Sequence, residues 1–223
     1  MAADLGLNIT GEGTPIVMVM GRNASGRVWD AHQVPGLVAR GWRVATFDNR
    51  GSGGNINPDQ QFHFNDLVQD VLTIIDQHLG EPAFLVGTSL GSRIVLEAAR
   101  QRPDLVRGVV AAAAHARLTP LQIAQSKELA AVTDARSTVA PDYLAATTAT
   151  LNLSPSTLLD DAASADWLAL LTFAGQGSTV GLAQQIAADC GSDQSQHYPQ
   201  IAVPVLTLAY ADDRVIFPEQ VRD

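Results

Sequence analysis

The sequence predicts one α/β domain built on a mostly parallel, doubly wound sheet. Short continuous apolar runs alternate with amphipathic stretches, a pattern typical of repeated βαβ units. The 223 residues, 46 % of them hydrophobic and 17 % charged, are enough to bury one large core and to carry an inserted segment. A serine flanked by glycines also stands between a predicted buried strand and a predicted helix, and such a turn belongs to α/β folds.

The first predicted elements form a strand, a helix and a second strand. Ile16–Met20 is continuously apolar after the turn signal Gly11–Gly13, so we expect a strand that is buried on both faces. A helix is predicted over Trp29–Arg40, because Gly41 can end it with a left-handed cap. Arg43–Phe47 is the next strand, and a glycine-rich loop follows it.

The following elements continue the same alternation. Asn65 or Asp66 can cap a helix whose apolar positions fall on one face, and Gly80 ends that helix. Three further elements are predicted in order: the strand Pro82–Val86, the helix Leu90–Gln101 and the strand Val106–Ala114.

A helical segment interrupts the sheet pattern in the second half of the chain. The strand signal is absent from 117–200, which is rich in Ala, Leu, Ser and Thr, and it returns at Val203–Ala209. Because both ends of this segment return to the same sheet, we predict a lid inserted before the last strand. The predicted organisation is therefore a core formed by 1–116 and 201–223, with a helical lid over 117–200.

Charge and cysteine content exclude several classes of function. Fourteen basic and 23 acidic residues give a net charge of −9 and a pI of about 4.8, which disfavours nucleic-acid binding. No apolar run reaches the roughly 18–20 residues of a membrane span, and the first residues do not resemble a signal peptide, so we expect a cytoplasmic protein without membrane contact. Cys190 is the only cysteine, which excludes an intrachain disulfide and a cysteine-built metal site.

The residues Gly87-Thr88-Ser89-Leu90-Gly91 form a G-x-S-x-G sequence between a predicted strand and a predicted helix. A serine on so sharp a turn is directed outward at the edge of the sheet, and the glycines permit close approach of neighbouring backbone. The helix N-terminus behind Ser89 offers free N–H groups that suit a developing oxyanion. The alternative is an ordinary strand-to-helix turn in which Ser89 caps the helix.

With its motifs in this order, the chain resembles the α/β-hydrolase fold superfamily, and within it the bacterial branch of esterases, thioesterases and cofactor-free haloperoxidases. The resemblance extends from about Gly11 to the last residue. Besides the Ser89 turn it rests on three segments: Val19–Trp29, Phe47–Gly53 and Ala211–Pro218. In the second segment, Asp48 and Arg50 are expected to hold their loop in place.

The resemblance implies that Ser89 is the nucleophile and that the first segment contains the oxyanion loop. Met20 stands where a histidine is commonest in the family. The oxyanion would be received by the backbone N–H groups of Arg22 and Leu90. The side chains of Arg22 and Arg27 are interpreted as solvated loop charges.

The resemblance also implies an acidic member of the triad in Ala211–Pro218. This segment follows the strand Val203–Ala209, so its aspartates lie at the same edge of the sheet as Ser89. The family pattern favours Asp213 over Asp212 as this acid. The alternative is a pair of solvated turn carboxylates.

A general-base histidine is expected after Asp213, because the family order is serine, acid, histidine. The sequence ends at Asp223 without one, and we interpret the chain as a fragment of a longer reading frame whose last strand leaves an apolar edge exposed. His115, directly after a predicted strand, is expected to line the pocket, with service as a replacement base as the alternative. The other histidines are expected at the surface, in lid packing or at the opposite edge of the sheet: His32, His63, His78 and His197.

The predicted function is that of a serine hydrolase that cleaves a small carboxylic ester or thioester through an acyl-Ser89 intermediate, with no metal or organic cofactor. Two alternatives stay open: a catalytically degenerate, ligand-binding member of the fold, and a cofactor-free haloperoxidase or perhydrolase. The apolar residues of the predicted lid indicate an apolar acyl or aromatic substrate: Leu118, Leu121, Tyr143, Leu151, Leu153, Trp167, Leu168 and Phe173.

Overall fold

The computed structural model describes residues 5–57, 59, 61–132, 139–174 and 179–222, and within them it shows a six-stranded sheet. Its order is β1-β3-β2-β4-β5-β6, with β1 antiparallel to β3 and all other neighbours parallel. The mostly parallel sheet is therefore confirmed. The strands are β1 Asn8–Thr10, β2 Thr14–Val19, β3 Trp42–Thr46, β4 Ala83–Thr88, β5 Val106–Ala112 and β6 Val205–Leu208.

Nine α-helices are present in the same residues: α1 Gln33–Val38, α2 Phe64–Thr73, α3 Leu90–Gln101, α4 Pro120–Val132, α5 Pro141–Asn152, α6 Pro155–Leu159, α7 Asp161–Ala174, α8 Thr179–Asp189 and α9 Pro218–Arg222. A π-helical turn, Ile74–Leu79, extends α2. Short 3-10 helices occupy Gly26–Ala31, Pro103–Leu105 and Tyr198–Gln200. Among its described residues, the segment between β5 and β6 contains the helices α4–α8 and a 3-10 helix, joined by turns and loops, and no strand. The outer limits of the predicted domains at residues 1 and 223, and positions 133–138 and 175–178 of the predicted lid, lie outside the described residues.

Two helix predictions are corrected by the structure. The predicted helix Trp29–Arg40 is a 3-10 helix followed by the short α1, since His32 leaves the helical conformation at φ −139°. The second helix starts at Phe64, and its N-cap position is His63, not Asn65 or Asp66. Instead Asp66 lies in its first turn, where its Oδ2 accepts from the backbone N–H of His63 at 2.7 Å.

The sheet is covered on both faces, as the continuous apolar pattern of β2 predicts. Ile16 and Met18 belong to one cluster with Val34 of α1, whereas Val17 and Val19 belong to the larger cluster formed with α2 and α3. Each residue of β2 from Pro15 to Val19 is buried. Because β2 is packed on both faces, its position is fixed, and the candidate site lies beside it.

The last strand lies at the edge of the sheet and is open to solvent. β6 pairs with β5, and all four of its residues are exposed, with Leu206 56 % accessible. The expected exposed apolar edge is thus confirmed. Separately, no helix in the described parts of the chain has the length and apolar character needed to cross a bilayer.

A buried polar cluster joins α3 to the end of α8. Arg93 is completely buried, and its guanidinium donates to the carboxylate of Asp189 and, at 2.7 Å, to Oγ of Ser192. The same guanidinium lies 5.4 Å from the ring centre of Phe64. His115 follows β5 and is only 2 % exposed, and burial together with the cations of Arg93 and Arg22 lowers its pKa to about 3.

We predict that Arg93→Met destabilises the protein by about 3–5 kcal/mol, because it leaves the buried Asp189 carboxylate without its partner. Urea unfolding measures the effect. The matched control is Arg102→Met, which breaks an exposed pair with Asp104 and should leave the free energy of unfolding close to that of the wild type. Equal effects of the two substitutions would contradict the structural role of the cluster.

The buried imidazole also predicts acid sensitivity. His115 stays neutral in the folded state down to about pH 3, whereas the unfolded chain takes up the proton near pH 6.5. Stability is therefore undiminished above pH 6.5 and falls as the pH drops, by up to about 1.4 kcal/mol per unit. Between pH 7 and pH 5, His115→Gln should lose about 2 kcal/mol less unfolding free energy than the wild type. The control is the exposed His78: in His78→Gln, the unfolding free energy should change with pH as it does in the wild type. If the unfolding free energy of His115→Gln falls with pH as steeply as that of the wild type, the prediction is refuted.

Candidate active site

Ser89 occupies the turn between β4 and α3 in a strained backbone conformation, with φ 53° and ψ −118°. A Cβ at Gly87 would lie 2.3 Å from the carbonyl oxygen of Gly91, and a Cβ at Gly91 would lie 2.2 Å from that of Val19. Neither position can carry a side chain. The predicted strand, sharp turn and helix are therefore present, and the glycines are required by backbone crowding.

The side chain of Ser89 does not cap the helix that it precedes. It is half-buried, whereas the following Leu90 is buried at the first position of α3. The N–H of Leu90 has no acceptor within the helix and lies at the positive end of the helix dipole. The alternative of a serine that serves only as a cap is thus not supported by the contacts.

The loop after β2 lies directly against Ser89. A Cβ built on Gly21 would be 3.3 Å from Cβ of Ser89 and 3.9 Å from its Oγ, so only a residue without a side chain fits there comfortably. The side chain of Asn49 holds the start of this loop, because its Nδ2 donates to the carbonyl oxygen of Met20 at 2.9 Å. Arg22 follows Gly21 and is half-buried.

Asp48 and Arg50 hold the loops around the site, as predicted. Asp48 accepts from Oγ of Ser25 at 2.7 Å and from the backbone N–H groups of Gly26 and Gly54, both at 2.8 Å. Arg50 forms a two-pronged pair with Asp70, with both distances 2.7 Å. The hydrogen bond from Arg50 to Asp70 is the main cause that raises the pKa of its guanidinium.

A further residue of the site comes from α8 and was not predicted. Gln185 is fully buried; its Oε1 accepts from the backbone N–H of Asn23, and its Nε2 donates to the carbonyl oxygen of Arg50, both at 2.8 Å. One signal in the sequence could have indicated it. Gly181, Gln185 and Asp189 recur at intervals of four, which places small and polar residues on one helix face.

Asp213 lies in the turn after β6, at the carboxyl end of the parallel strands. Its Oδ1 accepts from the backbone N–H groups of Val215 and Ile216 at 2.8 and 2.9 Å, and the residue is half-buried. Asp212 is exposed. The turn is also fastened to α5, since the guanidinium of Arg214 donates to the carbonyl oxygen of Thr150 at 2.5 Å.

The histidines are spread over the fold. His32, His63 and His78 are exposed, and Nδ1 of His197 lies 2.6 Å from Oε1 of Gln194. His115 lines a cavity of about 690 Å³ beside β6 and α9. A second cavity of about 630 Å³ lies near Asp48, and Ser89 lines neither of them. Within the described parts of the chain, no group of three or more histidine, cysteine or acidic side chains is arranged to hold a metal ion.

Comparison with known proteins identifies relatives over most of the chain. A curated protein of Mycobacterium tuberculosis, "Putative non-heme bromoperoxidase BpoC", is 35 % identical over 215 residues, which are 96 % of this chain and 82 % of that protein. The pyrrolizixenacetamide deacetylase of Xenorhabdus hominickii is 25 % identical over 216 residues, covering 96 % of this chain and 79 % of the deacetylase.

Solved structures give the same result. The crystal structure of BpoC from Mycobacterium tuberculosis matches with a TM-score of 0.92 over all of this chain and 82 % of its own. A hydrolase of Pseudomonas aeruginosa, 26 % identical, matches with a TM-score of 0.79 over 97 % of this chain and 79 % of its own. The family model described as alpha/beta hydrolase fold matches residues 14–223. The chain therefore belongs to the alpha/beta hydrolase fold family.

Proposed function

We propose that the protein is a serine hydrolase that cleaves a carboxylic ester or thioester through an acyl-Ser89 intermediate. One observation carries the proposal. Ser89 is held at φ 53° between β4 and α3, with the backbone of Gly21 packed against its side chain. This arrangement directs Oγ away from the sheet beside a helix N-terminus, where a nucleophile and an oxyanion site are needed together.

In the proposed reaction, Oγ of Ser89 attacks the acyl carbon, and its proton passes to a histidine base. The backbone N–H groups of Arg22 and Leu90 donate to the oxygen that becomes negative. Collapse of the tetrahedral intermediate breaks the bond to the alcohol or thiol, which takes the proton from the histidine. Water then attacks the acyl-serine with help from the same base, releases the acid and regenerates Ser89.

Asp213 is proposed to orient that histidine. It stands at the carboxyl end of the strands, and two backbone N–H groups hold one of its carboxylate oxygens. In the family order of serine, acid and histidine, this base comes after the acid. His115 is the less suitable base, because its imidazole is buried and has a pKa of about 3.

The proposed substrate carries an apolar acyl or aromatic group. Several large apolar side chains of the helical segment are open to solvent, including Tyr143 at 67 % and Phe173 at 76 % accessibility. Leu118, by contrast, is buried and contributes to packing. Tyr143 lies on α5, which contacts the turn of Asp213 through Arg214, and an exposed aromatic group there favours an apolar ligand over a charged one.

A second candidate, cofactor-free haloperoxidase or perhydrolase chemistry, is supported by the 35 % identity to a protein named as a non-heme bromoperoxidase. Hydrogen peroxide would replace water in the attack on acyl-Ser89 and release a peracid. The peracid would then oxidise a halide ion and return to the carboxylic acid. Both candidates share the acyl-enzyme, so they differ only in the second nucleophile.

We predict that Ser89→Ala abolishes hydrolysis of p-nitrophenyl esters by the full-length protein, with a loss of at least about 10³-fold in kcat. The half-buried Ser164 of α7, whose Oγ donates to the carbonyl oxygen of Asp161 in the same helix, is changed to alanine as the control and should retain wild-type activity. Monochlorodimedone bromination with acetate, bromide and hydrogen peroxide tests the second candidate. A folded full-length protein that is inactive in both assays would instead support the degenerate, ligand-binding alternative.

We also predict that Asp213→Asn lowers kcat by about 10²–10⁴-fold, since the amide cannot stabilise the imidazolium that forms in the reaction. The amide oxygen can still accept from Val215 and Ile216, so the turn should stay folded. Asp212→Asn is the matched control and should change kcat less than twofold. Equal effects of the two substitutions on ester hydrolysis would exclude Asp213 as the acid.

A further inference from the structure

Helix α8 packs against the loops of the site with unusually close backbone contact. A Cβ on Gly181 would lie 2.0 Å from the carbonyl oxygen of Gly51, and a Cβ on Gly51 would lie 2.7 Å from that of Gly181. Both positions must therefore be glycine. This contact brings the next turn of α8, which carries Gln185, within hydrogen-bond distance of two loop backbones.

Gln185 uses both ends of its amide in this position. Its oxygen accepts from the N–H of Asn23 and its nitrogen donates to the carbonyl of Arg50, both at 2.8 Å, and the side chain is fully buried. The two partners fix the orientation of the amide, because one of them can only donate and the other can only accept. Gln185 thus joins α8, the loop after β2 and the loop after β3.

The hydrogen bond to Asn23 acts on the peptide next to the proposed oxyanion donor. The N–H of Asn23 belongs to the peptide that links it to Arg22, and Asn23 has an unusual positive φ of 57°. Asn49 holds the other end of the same short loop through the carbonyl of Met20. The stretch that contains Gly21 and Arg22 is therefore fixed on both sides.

We infer that Gln185 is a positioning residue for the oxyanion hole, acting through Asn23 on the direction of the Arg22 N–H. This inference rests on the proposed acyl-transfer function. Donors to an oxyanion act by being held in place before the reaction, and a small displacement lowers the rate without weakening ground-state binding. The helical segment between β5 and β6 would then set the reactivity of the site as well as its access.

The test compares three substitutions in the full-length protein. Gln185→Met removes both hydrogen bonds while keeping a side chain of similar volume. It should lower kcat for p-nitrophenyl esters about 10–100-fold, with KM staying within twofold of the wild-type value. The affinity for an aryl boronic acid, which forms a tetrahedral adduct on Ser89, should fall in parallel. The control is Gln184→Met, a neighbouring glutamine of the same helix that donates to the carbonyl of Asn57, and it should change neither quantity by more than twofold.

Gln185→Glu supplies a rescue that a merely structural role would not show. Burial raises the pKa of the introduced carboxyl, and its neutral form can both accept from Asn23 and donate to Arg50. Its kcat relative to the wild type should approach 1 at low pH and decline as the pH rises. For Gln185→Met, the ratio of its kcat to that of the wild type should not depend on pH.

The outcomes separate this inference from the proposed function. If the wild type is inactive on the esters, or if Ser89→Ala retains the activity, the proposed function fails. If the wild type depends on Ser89, but Gln185→Met keeps wild-type kcat and boronic acid affinity, only the inference is overturned. A Gln185→Met variant that loses kcat together with an equal rise in KM, without rescue by Gln185→Glu, would also overturn it.

Discussion

The backbone crowding between β2, β4 and α3 is the constraint on which the candidate site depends. Gly87 and Gly91 lie so close to the carbonyls of Gly91 and Val19 that neither can carry a side chain. The chain between them must turn sharply, and Ser89 takes a left-handed conformation that costs about 1–3 kcal/mol for a residue of its type. The packed core beneath β2 supplies the stability that holds it there.

Three of the contacts between the helical segment and the rest of the fold concern the site. Asp189 pairs with Arg93 on α3, Gln185 holds the loop that carries Arg22, and α5 accepts from Arg214 in the turn of Asp213. The helical segment therefore contacts each element that is proposed to carry the nucleophile, an oxyanion donor or the acid. Its packing can affect catalysis in addition to substrate access.

Much of the fold could be predicted, because buried parallel strands are continuous apolar runs and glycines end the helices. Leu90–Gln101 is a helix with the predicted bounds, and the Ser89 turn has the predicted geometry. The error at Trp29–Arg40 is local: a 3-10 helix capped by Ser25 begins at Gly26, and the backbone of His32 leaves the helical conformation before α1. Burial of Arg93 and Gln185 depends on partners far away in sequence, which local periodicity does not reveal.

The most direct test of the account is mass spectrometric mapping of the full-length protein after treatment with a fluorophosphonate. This reagent modifies a serine only where an activated hydroxyl and an oxyanion site meet. We expect a single adduct on the peptide that contains Ser89, and no adduct after Ser89→Ala. An unmodified Ser89 in the folded protein, or an adduct on another serine that persists in Ser89→Ala, would contradict it.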